Sequence, residues 1–117
     1  MRMLNFATSA LLAVMASTAA EAHAFLDHAE PRVGSTVSTA PRELSLSYTQ
    51  KLEPAFSSVE VTDANGARVD LGKPSISSSV MRIGLKSLSP GTYRVRWHVL
   101  SVDTHTTEGS FTFQVGR

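Results

Sequence analysis

The chain has 117 residues, 11 Lys+Arg against 10 Asp+Glu, and no cysteine. That length fits one domain of about 100–150 residues, and the missing thiols exclude a disulfide framework, a zinc ribbon, a thiolate copper centre and a cysteine nucleophile. A formal net charge of +1 with 18% charged residues gives no electrostatic case for nucleic acid and excludes a disordered polyelectrolyte.

In chain order, the first segment reads as an address. Arg2 supplies a positive start, Leu4 to Ala20 carries no charge, and Ala20-Glu21-Ala22 supplies the small-x-small pattern that a signal peptidase accepts. The apolar stretch Ala10–Ala16 is short for a membrane span, which needs about 20 residues. Residues 1–22 are therefore expected to be a cleaved signal peptide, leaving residues 23–117 as one domain outside the cytoplasm. Cleavage there would make His23 the first residue, with a free α-amine beside its imidazole. Met1, Met3 and Met15 would leave with the leader, so Met81 alone would remain.

From His23 onward the apolar pattern has period 2, the signature of half-buried strands. Leu44, Leu46 and Tyr48 alternate with Glu43, Ser45 and Ser47, and a second strand is expected within Phe56–Val61. Asn65-Gly66 is a turn signal, after which Val69 and Leu71 begin a return. Val80–Leu85 is a further candidate, weakened by Gly84. The longest run is Thr92–Val102, with Tyr93, Val95, Trp97 and Val99 on one face. Ser110–Val115 closes the chain with Phe111, Phe113 and Val115 on one side. Ser75–Ser79 reads as a polar loop. Prolines 31, 41, 54, 74 and 90 punctuate these runs. About seven short strands predict an all-β domain, a Greek-key sandwich or a partly closed barrel. Tyr93 just after Pro90-Gly91 fits either the tyrosine corner of immunoglobulin-like sandwiches or simple packing.

The chemistry-bearing residues gather at the end of the longest strand. Residues two apart on an extended chain project to one side, so Asp103 and His105 can reach one point in space. Alone this Asp-x-His is a common tripeptide. With a terminal His23 the donors become an α-amine, two imidazoles and a carboxylate. The amine and imidazole ordinarily titrate at about 7.7–8.0 and 6.5, so both can serve as neutral ligands near neutral pH. Three nitrogens and one oxygen suit tetragonal Cu(II), and divalent affinity peaks at copper. Zinc would accept two His and an Asp, but an amine donor in a planar arrangement favours copper.

The pattern His23-Ala24-Phe25-Leu26 with Pro31, Leu44-x-Leu46-x-Tyr48, Pro90-Gly91-x-Tyr93-x-Val95-x-Trp97 and Ser101-x-Asp103-x-His105-x₃-Gly109-x-Phe111-x-Phe113 resembles the CopC family of periplasmic copper-binding proteins. The resemblance covers essentially the whole of residues 23–117. It implies a seven-stranded Greek-key β-sandwich or barrel, a periplasmic location, and one Cu(II) per chain held by His23 (amine and imidazole), Asp103 and His105. It also implies partners in copper handling, such as an inner-membrane CopD-type transporter or a periplasmic multicopper oxidase. A monomer is expected. The sequence lacks the Met-rich Cu(I) segment of some members. Gln50 stands where some carry a Glu near the metal, with Glu53 three residues on, and Thr104 replaces a residue that is often Gly.

Among the other polar residues, His28 has the opposite strand parity to His23 and suits the surface or an outer position on the metal. His98 shares a face with Arg94 and Arg96, and Glu108 either faces solvent or orients His105. Three functions remain in view: a copper(II) carrier without enzymatic activity, a copper oxygenase using an N-terminal histidine chelate, and a secreted β-sandwich interaction module.

Overall fold

The computed structural model describes residues 24–117, so the expected leader and His23 lie outside the described residues. Within them the chain forms β1 (Leu26–Glu30), β2 (Thr36–Val37), β3 (Glu43–Tyr48), β4 (Ser58–Thr62), β5 (Ser75–Ser77), β6 (Val80–Gly84), β7 (Gly91–Leu100) and β8 (Thr106–Val115). A single 3₁₀ turn, Pro54–Phe56, precedes β4. Two four-stranded sheets result, ordered β1-β3-β6-β5 and β2-β8-β7-β4, and only the short β2–β8 pairing is parallel. The alternating runs explain this arrangement. Leu44, Leu46, Tyr48, Met81 and Ile83 line the inner face of the first sheet. Val59, Val61, Tyr93, Val95, Val99, Phe111, Phe113 and Val115 line that of the second. Burying each such aliphatic or Phe side chain contributes about 1.5–3 kcal/mol.

The all-β sandwich is the architecture expected from the sequence, with differences in detail. About seven strands were predicted and eight are described. β1 escapes a period-2 reading because its register against β3 shifts between Leu26 and His28, which breaks the alternation. β5, Ser75–Ser77, is a short edge strand within the stretch whose sequence reads as a polar loop. The return expected at Val69 and Leu71 is reduced to the isolated bridges Thr62↔Arg68 and Asp70↔Leu85. There Asp70 faces inward and Leu71 is 64% exposed, the reverse of their polarity. β7 ends at Leu100 instead of Val102, and β8 begins at Thr106 instead of Ser110.

Aromatic contacts order the two ends of the interior, and one of them, Tyr48 against Trp97, crosses between the sheets. The Tyr93 hydroxyl donates to the Ser89 carbonyl at 2.5 Å, so the residue after Pro90-Gly91 is a tyrosine corner while its ring stacks on Phe113 at 5.6 Å. At the opposite end, Tyr48 meets Trp97 edge-on at 5.2 Å, and the Trp97 ring lies over Gly109, where an added Cβ would stand 2.6 Å from it. Among the described residues the buried Tyr48 hydroxyl has no hydrogen-bond partner, and desolvation raises its pKa far above the ordinary phenol value.

Candidate metal centre

β7 and β8 form the longest hairpin of the molecule, and the candidate ligands sit on its loop. Ser101 and His105 close that loop through a Ser101 N–H to His105 carbonyl bond of 2.9 Å, leaving Val102, Asp103 and Thr104 between them. Such three-residue hairpins commonly end on a residue in the left-handed region. Here that residue is Thr104, at φ 73°, with its N–H on the Ser101 carbonyl at 2.9 Å. A β-branched residue is strained in that conformation, which Gly adopts freely. Thr104 therefore keeps the backbone geometry that Gly would adopt without strain.

The turn brings Asp103 and His105 together. Asp103 Oδ1 lies 3.4 Å from His105 Nδ1, and both side chains are 44% exposed at the rim of the sandwich. The turn thus sets the carboxylate and the imidazole side by side, within reach of one ion. Asp103 is held below the usual carboxylate range by the Ser101 hydroxyl hydrogen bond above all, with desolvation opposing it and the His105 contact adding to it. It is thus ionised, as a metal ligand must be.

His23 lies outside the described residues, but the residue that follows it is firmly placed. Ala24 is fully buried, and its carbonyl accepts the Thr107 hydroxyl at 2.7 Å. Phe25 is paired in both directions with Thr49, its N–H on Thr49 Oγ1 at 2.9 Å and its carbonyl on the Thr49 N–H at 3.0 Å. Thr107, on the inward-facing row of β8, follows His105 by two residues, a spacing of about 6.6–6.8 Å along an extended chain. The segment 49–53, which holds Gln50 and Glu53, runs alongside: the Val102 N–H meets the Lys51 carbonyl at 3.0 Å and the Glu53 N–H meets the Leu100 carbonyl at 2.8 Å.

Among the described residues, no three His, Cys, Asp or Glu side chains gather into a metal site. Asp103 and His105 are therefore half of the donor set expected from the sequence. The other histidines lie elsewhere. His28 is 3.4 Å from Glu30 on β1, and His98 is exposed on β7 between Ser58 and Glu108 in the neighbouring strands. A cleft of about 520 Å³ opens on that outer face of β4, β7 and β8, lined by Glu60, Arg96, His98 and Glu108 among others, and it includes neither Asp103 nor His105. Sequence reasoning gave no role to three residues that shape the centre: Thr49, Thr107 and Ser101, the last named only as part of the family pattern. Only Ser101 left a signal, sharing strand parity with Asp103 and His105.

Known proteins resemble this chain over most of its length. Residues 26–116 match the family model described as CopC domain. The protein YobA of Escherichia coli strain K12 is 33% identical over 118 residues, covering 97% of this chain and 95% of that protein. The copper resistance protein C of Xanthomonas campestris pv. juglandis is 36% identical over 112 residues, covering 88% and 87%. Among solved structures, CopC from Methylosinus trichosporium OB3b superposes with a TM-score of 0.76 at 30% identity, covering 80% of this chain and 94% of that one.

Proposed function

This chain belongs to the CopC family, and from that premise we propose that it is a periplasmic Cu(II) carrier in copper homeostasis or resistance. The cargo is one Cu(II) per chain, held by the α-amine and imidazole of His23 after cleavage at Ala22, by His105 and by Asp103. The observation that carries the reading is the latch between Thr107 and Ala24. It fixes the residue after His23 beside Thr107, two residues from His105, so the terminal histidine is one residue, about 3.8 Å along the chain, from a fixed anchor. Irving–Williams preference and a nitrogen-rich donor set with one carboxylate favour the oxidised ion over Cu(I), which prefers sulfur.

With all four donors engaged on the metal, the site captures and releases; it offers no nucleophile or general base, and Asp103 fills a position that oxygen activation needs open. The protein acts as a monomer and passes copper to a CopD-type membrane transporter or a multicopper oxidase. Electron paramagnetic resonance of the chain beginning at His23, with one equivalent of Cu(II), tests the reading. A tetragonal, nitrogen-rich signal is expected. It should be lost in His105→Ala and altered when one extra residue precedes His23. Indifference to the added residue would remove the amine from the site.

A further inference from the structure

We propose that Ser101 is the positioning residue of this centre, tying down one oxygen of Asp103 so that the carboxylate meets the metal through the other alone; the proposal rests on the copper(II) reading above. Ser101 is fully buried, although serine is a residue type usually found at the surface. Its backbone is anchored by the bridge to Leu52 and by the pairing with His105. Its hydroxyl is surrounded by three groups: the Asp103 carboxylate in a short contact through Oδ1, the His105 N–H at 3.3 Å and the His105 carbonyl at 3.2 Å.

A serine hydroxyl has one proton and two lone pairs. The His105 carbonyl already receives the Ser101 N–H, and a hydrogen bond to an ionised acceptor is about twice as strong as a neutral one. The proton therefore goes to Asp103 Oδ1, and a lone pair accepts the His105 N–H. One small side chain thus holds the carboxylate of one ligand and the backbone of the other. With Oδ1 engaged and the side chain pinned to a buried anchor, Asp103 is restrained from swinging to a chelating, two-oxygen pose. That leaves room in a planar set for the three nitrogens.

The experiment is a double-mutant cycle on the mature chain, read by Cu(II) affinity and paramagnetic resonance. Ser101→Ala should weaken Cu(II) binding about 10-fold, the lower end of what outer partners of metal ligands typically contribute, and should shift the resonance parameters. Ser101→Thr, which keeps the hydroxyl, should restore both. In an Asp103→Ala background, Ser101→Ala should change affinity no further, because its action passes through that carboxylate. An equal loss in both backgrounds would make Ser101 a purely structural residue and overturn the proposal. Isotope-edited infrared spectra of the wild-type Asp carboxylate give a second reading that needs no variant. A wide splitting of the carboxylate stretches, diagnostic of one-oxygen binding, is expected; the narrow splitting of a chelating carboxylate would overturn the proposal. If the wild-type chain binds no Cu(II), the functional reading fails and takes this inference with it. If His105→Ala abolishes binding while Ser101→Ala leaves it untouched, the inference alone fails.

Discussion

Two aspartates in opposite halves of the sandwich show how differently one fold can treat a carboxylate. Asp70 is buried against β4 and holds both oxygens in bonds: Oδ2 accepts the Val61 N–H and Arg68 Nε, each at 2.8 Å, and Oδ1 accepts the Gly72 N–H and Arg68 Nη2, each at 3.0 Å. Burial alone would raise its pKa, but Arg68 and the two backbone donors together outweigh that and hold it below the usual range. Asp103 is also lowered, yet it stands half in solvent with partners gathered on one oxygen. The first carboxylate is consumed by the fold. The second keeps binding capacity at the rim, and keeping it there places a β-branched residue, Thr104, at positive φ.

Substitution should separate the two roles cleanly. Asp70→Ala would leave the Val61 and Gly72 N–H groups and the Arg68 guanidinium without their acceptor. With Arg68 half in solvent the loss should be about 3 kcal/mol, at the low end for breaking a buried pair, measured by urea unfolding of the metal-free chain. Copper affinity of the fraction that folds should be unchanged. Asp103→Ala should do the opposite, leaving the metal-free unfolding midpoint in place while Cu(II) affinity falls at least about 10-fold. A copper defect in Asp70→Ala equal to that of Asp103→Ala would collapse the distinction.

Acid sharpens the same contrast. A carboxyl whose folded pKa lies below its unfolded value of about 3.9 contributes stability that is present above that value and lost as pH falls through the folded one. For Asp70 the metal-free chain should therefore hold its stability down to about pH 4 and shed it below, and Asp70→Asn should flatten that part of the curve. Urea midpoints collected between about pH 6 and 2 read this directly. The smallest effect belongs to the metal loop. Thr104→Gly removes a left-handed penalty of about 1–2 kcal/mol but adds about 0.5–1 kcal/mol of backbone entropy, for a net gain of about 0.5 kcal/mol. Destabilisation by this change would mean that the Thr104 side chain contributes more than its strain costs.

The inner rows Leu44-Leu46-Tyr48, Tyr93-Val95 and Phe111-Phe113-Val115 were legible because burial on one face of a strand imposes period 2. Asp103 and His105 were legible for the same geometric reason, since a spacing of two puts them on one side. β1 was not, because a register shift interrupts its alternation. The return at Val69 and Leu71 was not legible, because the inward turn of Asp70 rests on paired hydrogen bonds to Arg68, Gly72 and the Val61 N–H of β4, which period 2 does not encode. Thr107 was silent for a similar reason: its hydroxyl acts on a carbonyl 83 residues away. Local periodicity thus announces the sheets and the bare ligands, while the groups that aim the ligands emerge only once the chain is closed.

One feature of the second sheet also makes the molecule its own instrument. The indole of Trp97, the chain's one tryptophan, occupies the space where any side chain at position 109 would stand. Light emitted from that ring therefore registers whether β7 and β8 are in contact, with no dye attached. A paramagnetic ion bound at the tip of the same hairpin would dim it, so assembly and loading can be followed optically in one cuvette.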